Sequence, residues 1–190
     1  VIGSIVDEDS DPDELAVPAV GDGRTGLYLQ AIREVAPKIV DRPVLAGVIG
    51  PFSLAGRLFG MTELMMAIFT EPETVQLLLE KCTRFISGYC QVLKQAGAQG
   101  VVIAEPAAGL VSNEDCSLYS SSYVRRIVES VQDDSFLVVL HNCGNTGHCT
   151  EAMIETGAAG YHFGNQAGMV AALEACPTDT LVMGNIDPVG

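Results

Sequence analysis

The sequence is poor in positive charge. It contains 10 Lys and Arg residues against 24 Asp and Glu residues, which gives a formal net charge of -14 at pH 7. Because such a surface repels polyanions, we expect neither a nucleic acid nor an anionic membrane as a partner. The 190 residues, 48% of them apolar, are enough for one domain with a hydrophobic core.

Membrane-spanning segments and a dense cysteine framework are also lacking. The charge-free segment Pro43–Gly56 is too short and too rich in Gly and Pro to span a bilayer. The cysteines are scattered, unlike those of small secreted domains, so we predict a reducing, cytoplasmic location. No signal peptide is visible, but the chain begins at Val1 without an initiator Met, and we expect the natural N-terminus to lie upstream.

The first 26 residues are acidic and loop-like, and we interpret them as a solvated lead-in to the domain. A short amphipathic helix is predicted after them, over Leu27–Ile39. The acids of the lead-in are Asp7, Glu8, Asp9, Asp11, Asp13, Glu14 and Asp22.

Short apolar segments without polar alternation indicate buried parallel strands that helices cover. Five segments have this pattern: Val44–Ile49, Gly100–Ala104, Leu137–Leu140, Gly160–Phe163 and Leu181–Met183.

Helical patterns separate these strands. Thr70-Glu71-Pro72-Glu73 resembles a capping box with Pro in the first turn. An apolar stripe follows it, and Gly97 is predicted to end that helix in the left-handed conformation. A second helix is predicted from Ser112 to about Val131.

Strand and helix alternation predicts a parallel α/β sheet, either closed as a barrel or open and doubly wound. Neither G-x-G-x-x-G nor G-x-x-x-x-G-K-[ST] follows any predicted strand, which argues against an open nucleotide-binding sheet. A (β/α)₈ barrel takes about 250 residues. We therefore predict that residues 1–190 form a single incomplete TIM-barrel domain with about five of eight strands, and that further strands lie on both sides.

Polar residues stand at the carboxyl ends of the predicted strands, where barrel enzymes build their active sites. Each residue alone has an ordinary explanation as turn or core chemistry, but their recurrence at five strand ends favours a site. These residues include Glu105, His141, Cys143, His162, Asn185 and Asp187.

The most informative of these patterns is His141-x-Cys143. Residues two apart in an extended segment share a face, so an imidazole and a thiolate would project together as zinc ligands. Two other interpretations stay open. The pair belongs to the core, or it forms a closed structural site together with His148 and Cys149.

Several strings resemble the uroporphyrinogen decarboxylase superfamily, and its cobamide-dependent methyltransferase branch most of all. They occur in the expected order over nearly the whole chain. The strings are GPFSLAGRLFG (50–60), AGAQGVVIAEPAAGLVS (96–112), HNCGNT (141–146), ETGAAGYHF (155–163) and MGNIDP (183–188), with DPDELAVPAVGDGRTGLYLQAIREV leading them.

The resemblance implies a zinc-dependent (β/α)₈ methyltransferase. Zinc would be held by His141, Cys143 and a cysteine expected beyond residue 190. A thiol such as coenzyme M would accept a methyl group from a cobamide (methylcobalamin type) carried by a separate corrinoid protein.

The remaining residues receive roles from their positions at the strand ends. Glu105 is the expected catalytic carboxylate, which orients a ligand or the metal site unless it only caps the following loop. Asn185, Asp187 and His162 are expected to bind substrate, with support of the metal ligands as the alternative for Asn185 and Asp187 and core packing as the alternative for His162. Cys149 and Cys176 are assigned to packing.

Two alternatives remain. A uroporphyrinogen decarboxylase needs no metal but does need basic residues for its carboxylated substrate, and Arg57 is the cation nearest a strand end. A non-catalytic corrinoid- or zinc-binding barrel would keep the fold without turnover.

Overall fold

A parallel β-sheet forms the centre of the computed structural model, which describes residues 5–6 and 12–189. Two of the predicted strands differ from those observed: the first begins one residue later, and the third continues to Asn142. The strands are β1 (Leu45–Ile49), β2 (Gly100–Ala104), β3 (Leu137–Asn142), β4 (Gly160–Phe163) and β5 (Leu181–Met183).

The strands lie in the sheet in the order in which they occur in the chain, and every neighbouring pair is parallel. Each connection therefore moves one strand further in the same direction. An open doubly wound sheet reverses its strand order at a switch point, whereas a barrel does not. The order within the described residues is that of a barrel.

The sheet has one covered face and one partly open face. Val48, Ile103, Leu140 and Phe163 lie on the covered face and belong to the hydrophobic core. On the other face, the register aligns one residue of each strand in a row at the carboxyl edge. We call this the edge row: Ile49, Ala104, His141, His162 and Met183.

Helices and short turns connect the strands. A π-helical turn at Ser117–Ser121 joins α5 to α6, and 3₁₀ turns occur at Pro12–Glu14, Ala36–Lys38 and Pro106–Leu110. The helices are α1 (Thr25–Val35), α2 (Pro51–Phe59), α3 (Met61–Thr70), α4 (Pro72–Gln95), α5 (Asn113–Cys116), α6 (Ser122–Val131), α7 (Thr150–Ile154) and α8 (Met169–Ala175).

The capping box predicted at the start of α4 is wrong. Thr70 is the last residue of α3, and its hydroxyl donates to the Met66 carbonyl at 3.2 Å. Glu71 is the N-cap of α4 without a side-chain cap, and Pro72 begins the helix as predicted. The α3 helix occupies the residue that the box required.

The predicted end of α4 is confirmed. Gly97 has φ +106°, and its N–H donates to Lys94 O at 3.0 Å while the Ala98 N–H donates to Leu93 O at 3.1 Å. These two bonds form a Schellman motif. Ser112 is also confirmed as a helix start, because its hydroxyl accepts from the Asp115 N–H.

The described part of the lead-in is attached to the domain by hydrogen bonds, while its acids Asp13, Glu14 and Asp22 are exposed to solvent. The N–H groups of Ile5 and Val6 donate to Leu58 O at 2.8 and 2.9 Å, and the Lys81 ammonium donates to the carbonyls of Asp13 and Leu15. Asp7, Glu8, Asp9 and Asp11 lie outside the described residues.

No single helix in the described ranges is long and apolar enough to cross a membrane. The α2 and α3 pair, bent by 105°, meets that test by length and composition only when the two helices are taken together.

Substitution of two glycines, Gly88 within α4 and Gly97 just after its C-terminal end, should have opposite effects on stability. Gly97→Ala should lower the free energy of unfolding by about 1 kcal/mol, because a side chain at positive φ is strained. Gly88→Ala should raise it by up to about 1 kcal/mol through helix propensity. A Cβ at Gly88 would meet only Val20 Cγ2, at 3.5 Å. Urea denaturation of the intact protein measures both, and equal signs would contradict the assignment.

Candidate metal and substrate site at the carboxyl edge of the sheet

The structure brings the predicted site residues to one edge of the sheet. Parallel strands end on the same side, and each residue lies at or shortly after the end of a strand. Glu105 directly follows β2, His141 and His162 are the penultimate residues of β3 and β4, Cys143 directly follows β3, and Asn185 and Asp187 lie in the segment after β5.

His141 and His162 are in direct contact. They are register partners on β3 and β4, and their Nδ1 atoms lie 2.7 Å apart. The Nδ1 atom of His141 is also 3.3 Å from the His162 carbonyl oxygen. Burial lowers the pKa of His141, and the charge of His162 lowers it further. The neutral imidazole, which is the form that binds metals, is therefore favoured.

Cys143 lies just beyond the strand. The sequence prediction assumed that His141 and Cys143 share one face of an extended strand. Because β3 ends at Asn142, strand alternation alone does not place the thiol beside His141. The Cys143 side chain is exposed, and its position depends on the turn that follows β3.

That turn is built by Asn142, which sequence reasoning missed. Its Oδ1 accepts hydrogen bonds from the N–H groups of Gly144 and Asn145, both at 3.0 Å. A side-chain amide that bonds to the backbone two residues on is typical of an Asx turn. Asn142 is 1% exposed, and its Nδ2 has no hydrogen-bond partner within the described residues. The signal in the sequence was the Asn between His141 and Cys143.

Two glycines allow backbone segments to pack against the Cys143 turn. A Cβ at Gly164 would lie 2.6 Å from Cys143 O and 2.8 Å from Cys143 Cα, and a Cβ at Gly144 would lie 2.5 Å from Pro106 O. The segments that follow β2 and β4 therefore support the turn from two sides.

Glu105 is buried and anchors the start of α2. Its carboxylate accepts from the N–H groups of Phe52 and Ser53 at 3.1 and 2.8 Å and from the Ser120 hydroxyl at 2.7 Å. Burial raises the pKa of Glu105, although these hydrogen bonds oppose the shift. Its own N–H donates to His141 O at 2.8 Å, so the same residue also holds β3.

Asn185 and Asp187 occupy the segment after β5. The Asn185 amide donates to Ala167 O at 2.6 Å and to Asn165 O at 3.3 Å, which ties this segment to the one after β4. Asp187 is exposed and accepts from the Val189 N–H at 2.9 Å. Substrate binding by either residue stays a prediction.

His148 and Cys149 have partners away from His141 and Cys143. The His148 ring contacts Val111 O and Thr146 Oγ1 at 3.1 and 3.2 Å. The buried Cys149 thiol lies 3.5 Å from Ala108 O and Val111 O. This arrangement favours the packing role of Cys149 over a closed structural site.

The donor chemistry of His141 and Cys143 fits a zinc ion as part of a site. Imidazole nitrogen and thiolate sulfur are the ligands that zinc prefers. Within the described part of the chain, no group of three or more His, Cys, Asp or Glu side chains is placed to hold a metal. The third ligand that the resemblance implies lies beyond residue 190 and stays a prediction.

The sequential parallel sheet and its polar carboxyl edge are those of a (β/α)₈ barrel, of which the five strands are a portion. A solved structure of a methyltransferase from Methanosarcina mazei confirms this fold. It superposes with a TM-score of 0.87 at 25% sequence identity, over 97% of this chain and 55% of that chain.

The chain belongs to the uroporphyrinogen decarboxylase (URO-D) family, whose model matches residues 1–190. It is 31% identical to the methylcobamide:CoM methyltransferase MtbA of Methanosarcina acetivorans, over 100% of this chain and 56% of that protein. It is 28% identical to the uroporphyrinogen decarboxylase of Pectobacterium atrosepticum, over 86% of this chain and 49% of that protein. The chain thus spans about half the length of these relatives.

The close contact between Gly164 and Cys143 predicts a sensitive position. Gly164→Ala should displace the Cys143 backbone and change the rate at which its thiol reacts with a disulfide reagent. It should also destabilise the protein by about 1–3 kcal/mol, as overpacking does. In Gly168→Ala, the new Cβ meets nothing within 4 Å. That control should leave the reactivity of Cys143 unchanged, and an unchanged rate in both variants would contradict the proposed contact.

Proposed function

We propose that this chain contributes the thiol-activating part of a zinc-dependent, corrinoid-linked methyltransferase. The overall reaction moves a methyl group from a methylated corrinoid to the sulfur of a thiol acceptor such as coenzyme M and releases the proton of that thiol. The observation that carries the proposal is the position of His141 as the penultimate residue of β3 together with the exposed Cys143 directly after that strand.

The residues of the chain have separate roles in this proposal. His141 and Cys143 would hold the zinc ion, with a third ligand from beyond residue 190. A bound zinc ion lowers the pKa of a coordinated thiol and keeps it as the nucleophilic thiolate. The Asn142 turn positions Cys143, and the hydrogen bond from Glu105 N–H positions the His141 backbone.

We propose that Glu105 orders the site through its hydrogen bonds. Both carboxylate oxygens already accept hydrogen bonds from α2 and Ser120, and the side chain is 1% exposed. These contacts favour a carboxylate that orders the site. Direct participation of Glu105 in catalysis remains a prediction, as do the substrate contacts of Asn185, Asp187 and His162.

The relationship to decarboxylases makes uroporphyrinogen decarboxylation the second candidate. A cavity of about 500 Å³ lies at the carboxyl ends of β1 and β2, and Arg57 is the one basic residue among the described residues that line it. A substrate with several carboxylates would be expected to meet several cations. The His141-x-Cys143 pair, which a metal-independent decarboxylase does not need, favours the methyltransferase.

The partner that we propose is a corrinoid protein that docks at the carboxyl side of the barrel. Leu110 and Ile186 follow β2 and β5 on that side and are 65% and 92% exposed, which is suited to an interface.

All six cysteines are free thiols, in keeping with the cytoplasmic location proposed for the enzyme. The remaining alternative is a barrel that binds zinc or corrinoid without turnover, and the activity test below distinguishes it from the enzyme.

The metal assignment predicts a difference between two cysteine variants. Cys143→Ala should reduce the zinc content of the intact protein well below one ion per chain, because it removes a ligand. Cys149→Ala is the control, since its thiol packs in the interior. Elemental analysis, with circular dichroism to confirm folding, measures the effect. Equal zinc content in the two variants would remove Cys143 from the site.

The chemical assignment predicts thiol-dependent demethylation of methylcobalamin. The intact protein with coenzyme M should convert methylcobalamin to the reduced corrinoid, followed by ultraviolet–visible spectra, and chelation should stop the reaction. Full activity after complete removal of zinc would refute the mechanism. Metal-independent decarboxylation of uroporphyrinogen would favour the second candidate, and zinc binding without either activity would favour the non-catalytic barrel.

A further inference from the structure

The His141 ring has one hydrogen-bonding neighbour in the edge row. Its partner on β2 is Ala104, which has no polar side-chain atom, and its partner on β4 is His162. Of the two residues that flank it across the sheet, only His162 can therefore fix the orientation of the imidazole through its side chain.

The contacts of His141 Nδ1 favour one of the two neutral tautomers of the ring. This atom lies 2.7 Å from His162 Nδ1 and 3.3 Å from the His162 carbonyl oxygen. A carbonyl oxygen only accepts hydrogen bonds, so both contacts can be satisfied together when His141 Nδ1–H is the donor. The His162 Nδ1 is then the acceptor, and His162 carries its own proton on Nε2.

The opposite assignment is less well satisfied. If His162 Nδ1–H donated to His141, the His141 Nδ1 would be an acceptor facing a carbonyl oxygen that is also an acceptor. His141 would then carry its proton on Nε2, and neither nitrogen would have a lone pair available for a metal.

We propose that His162 is a positioning residue that keeps His141 in the Nδ1–H tautomer and leaves Nε2 free to bind a metal ion. The metal part of this inference rests on the function proposed above. Metal-binding histidines in general depend on a hydrogen bond at the second ring nitrogen, which fixes both the tautomer and the ring. His162 thereby acts on the metal site through His141.

Two substitutions separate this role from simple packing. His162→Phe keeps an aromatic ring but removes the acceptor, whereas His162→Asn keeps a side-chain oxygen that can accept from His141 Nδ1–H. The backbone carbonyl of residue 162 is present in both variants, so the comparison isolates the side chain.

The first measurement is the tautomer of His141 in the metal-free intact protein, by ¹⁵N–¹H correlation NMR of the imidazole. Wild type and His162→Asn should show Nδ1–H, and His162→Phe should show a mixture with Nε2–H. A wild-type His141 with its proton on Nε2, or a tautomer unchanged in His162→Phe, would overturn the proposal whether or not zinc binds.

The second measurement is zinc affinity by competition with a chromophoric chelator. His162→Phe should bind zinc about 10- to 100-fold more weakly, as loss of such a supporting partner typically does, and His162→Asn should recover most of that loss. Equal affinity in wild type and His162→Phe would overturn the role toward the metal. Wild type that binds no zinc at all would refute the proposed function, while the NMR result would still decide the tautomer.

Discussion

The buried carboxylate of Glu105 is the interaction on which the carboxyl edge of the sheet depends. An isolated ion in the interior costs several kcal/mol, so its position requires donors. Two donors are the N–H groups of Phe52 and Ser53 at the positive N-terminal end of α2, and the third is the Ser120 hydroxyl. A Cβ at Gly50 would overlap this carboxylate, so glycine is required there. The ends of β1 and β2 are thereby fixed to the π-helical turn.

This anchor extends across the sheet to the candidate metal site. The Glu105 N–H donates to His141 O, and His141 in turn contacts His162 on the next strand. The register then continues to Met183 on β5. The buried acid directly after β2 therefore sets the position of the imidazole through the backbone. This arrangement explains how the two histidines are held in position within an otherwise apolar edge row.

The sequence predicted those features that depend on local pattern or on the family resemblance. Short apolar segments located all five strands, and the positive φ required after α4 identified Gly97. The prediction of a capping box was wrong because α3 continues through Thr70, and a four-residue motif carries no information about the helix that precedes it.

The partners of Glu105 and the contact between His141 and His162 could not be predicted, since both depend on long-range positions. The partners of Glu105 on α2, Phe52 and Ser53, are separated from it in sequence by 53 and 52 residues. The two histidines are in contact only because β3 and β4 pair in one particular register. The alternation rule placed Cys143 imperfectly because β3 ends one residue before it.

The close backbone contacts around Cys143 also bear on how such a site can diverge. Gly144 abuts Pro106 and Gly109 after β2, and Gly164 abuts Cys143 after β4. Three loops that are distant in sequence therefore contact one another at the backbone of Cys143 and Gly144. An insertion in any of them would be expected to displace the Cys143 backbone. Grafting this chemistry onto another barrel would require the three loops to be transferred together.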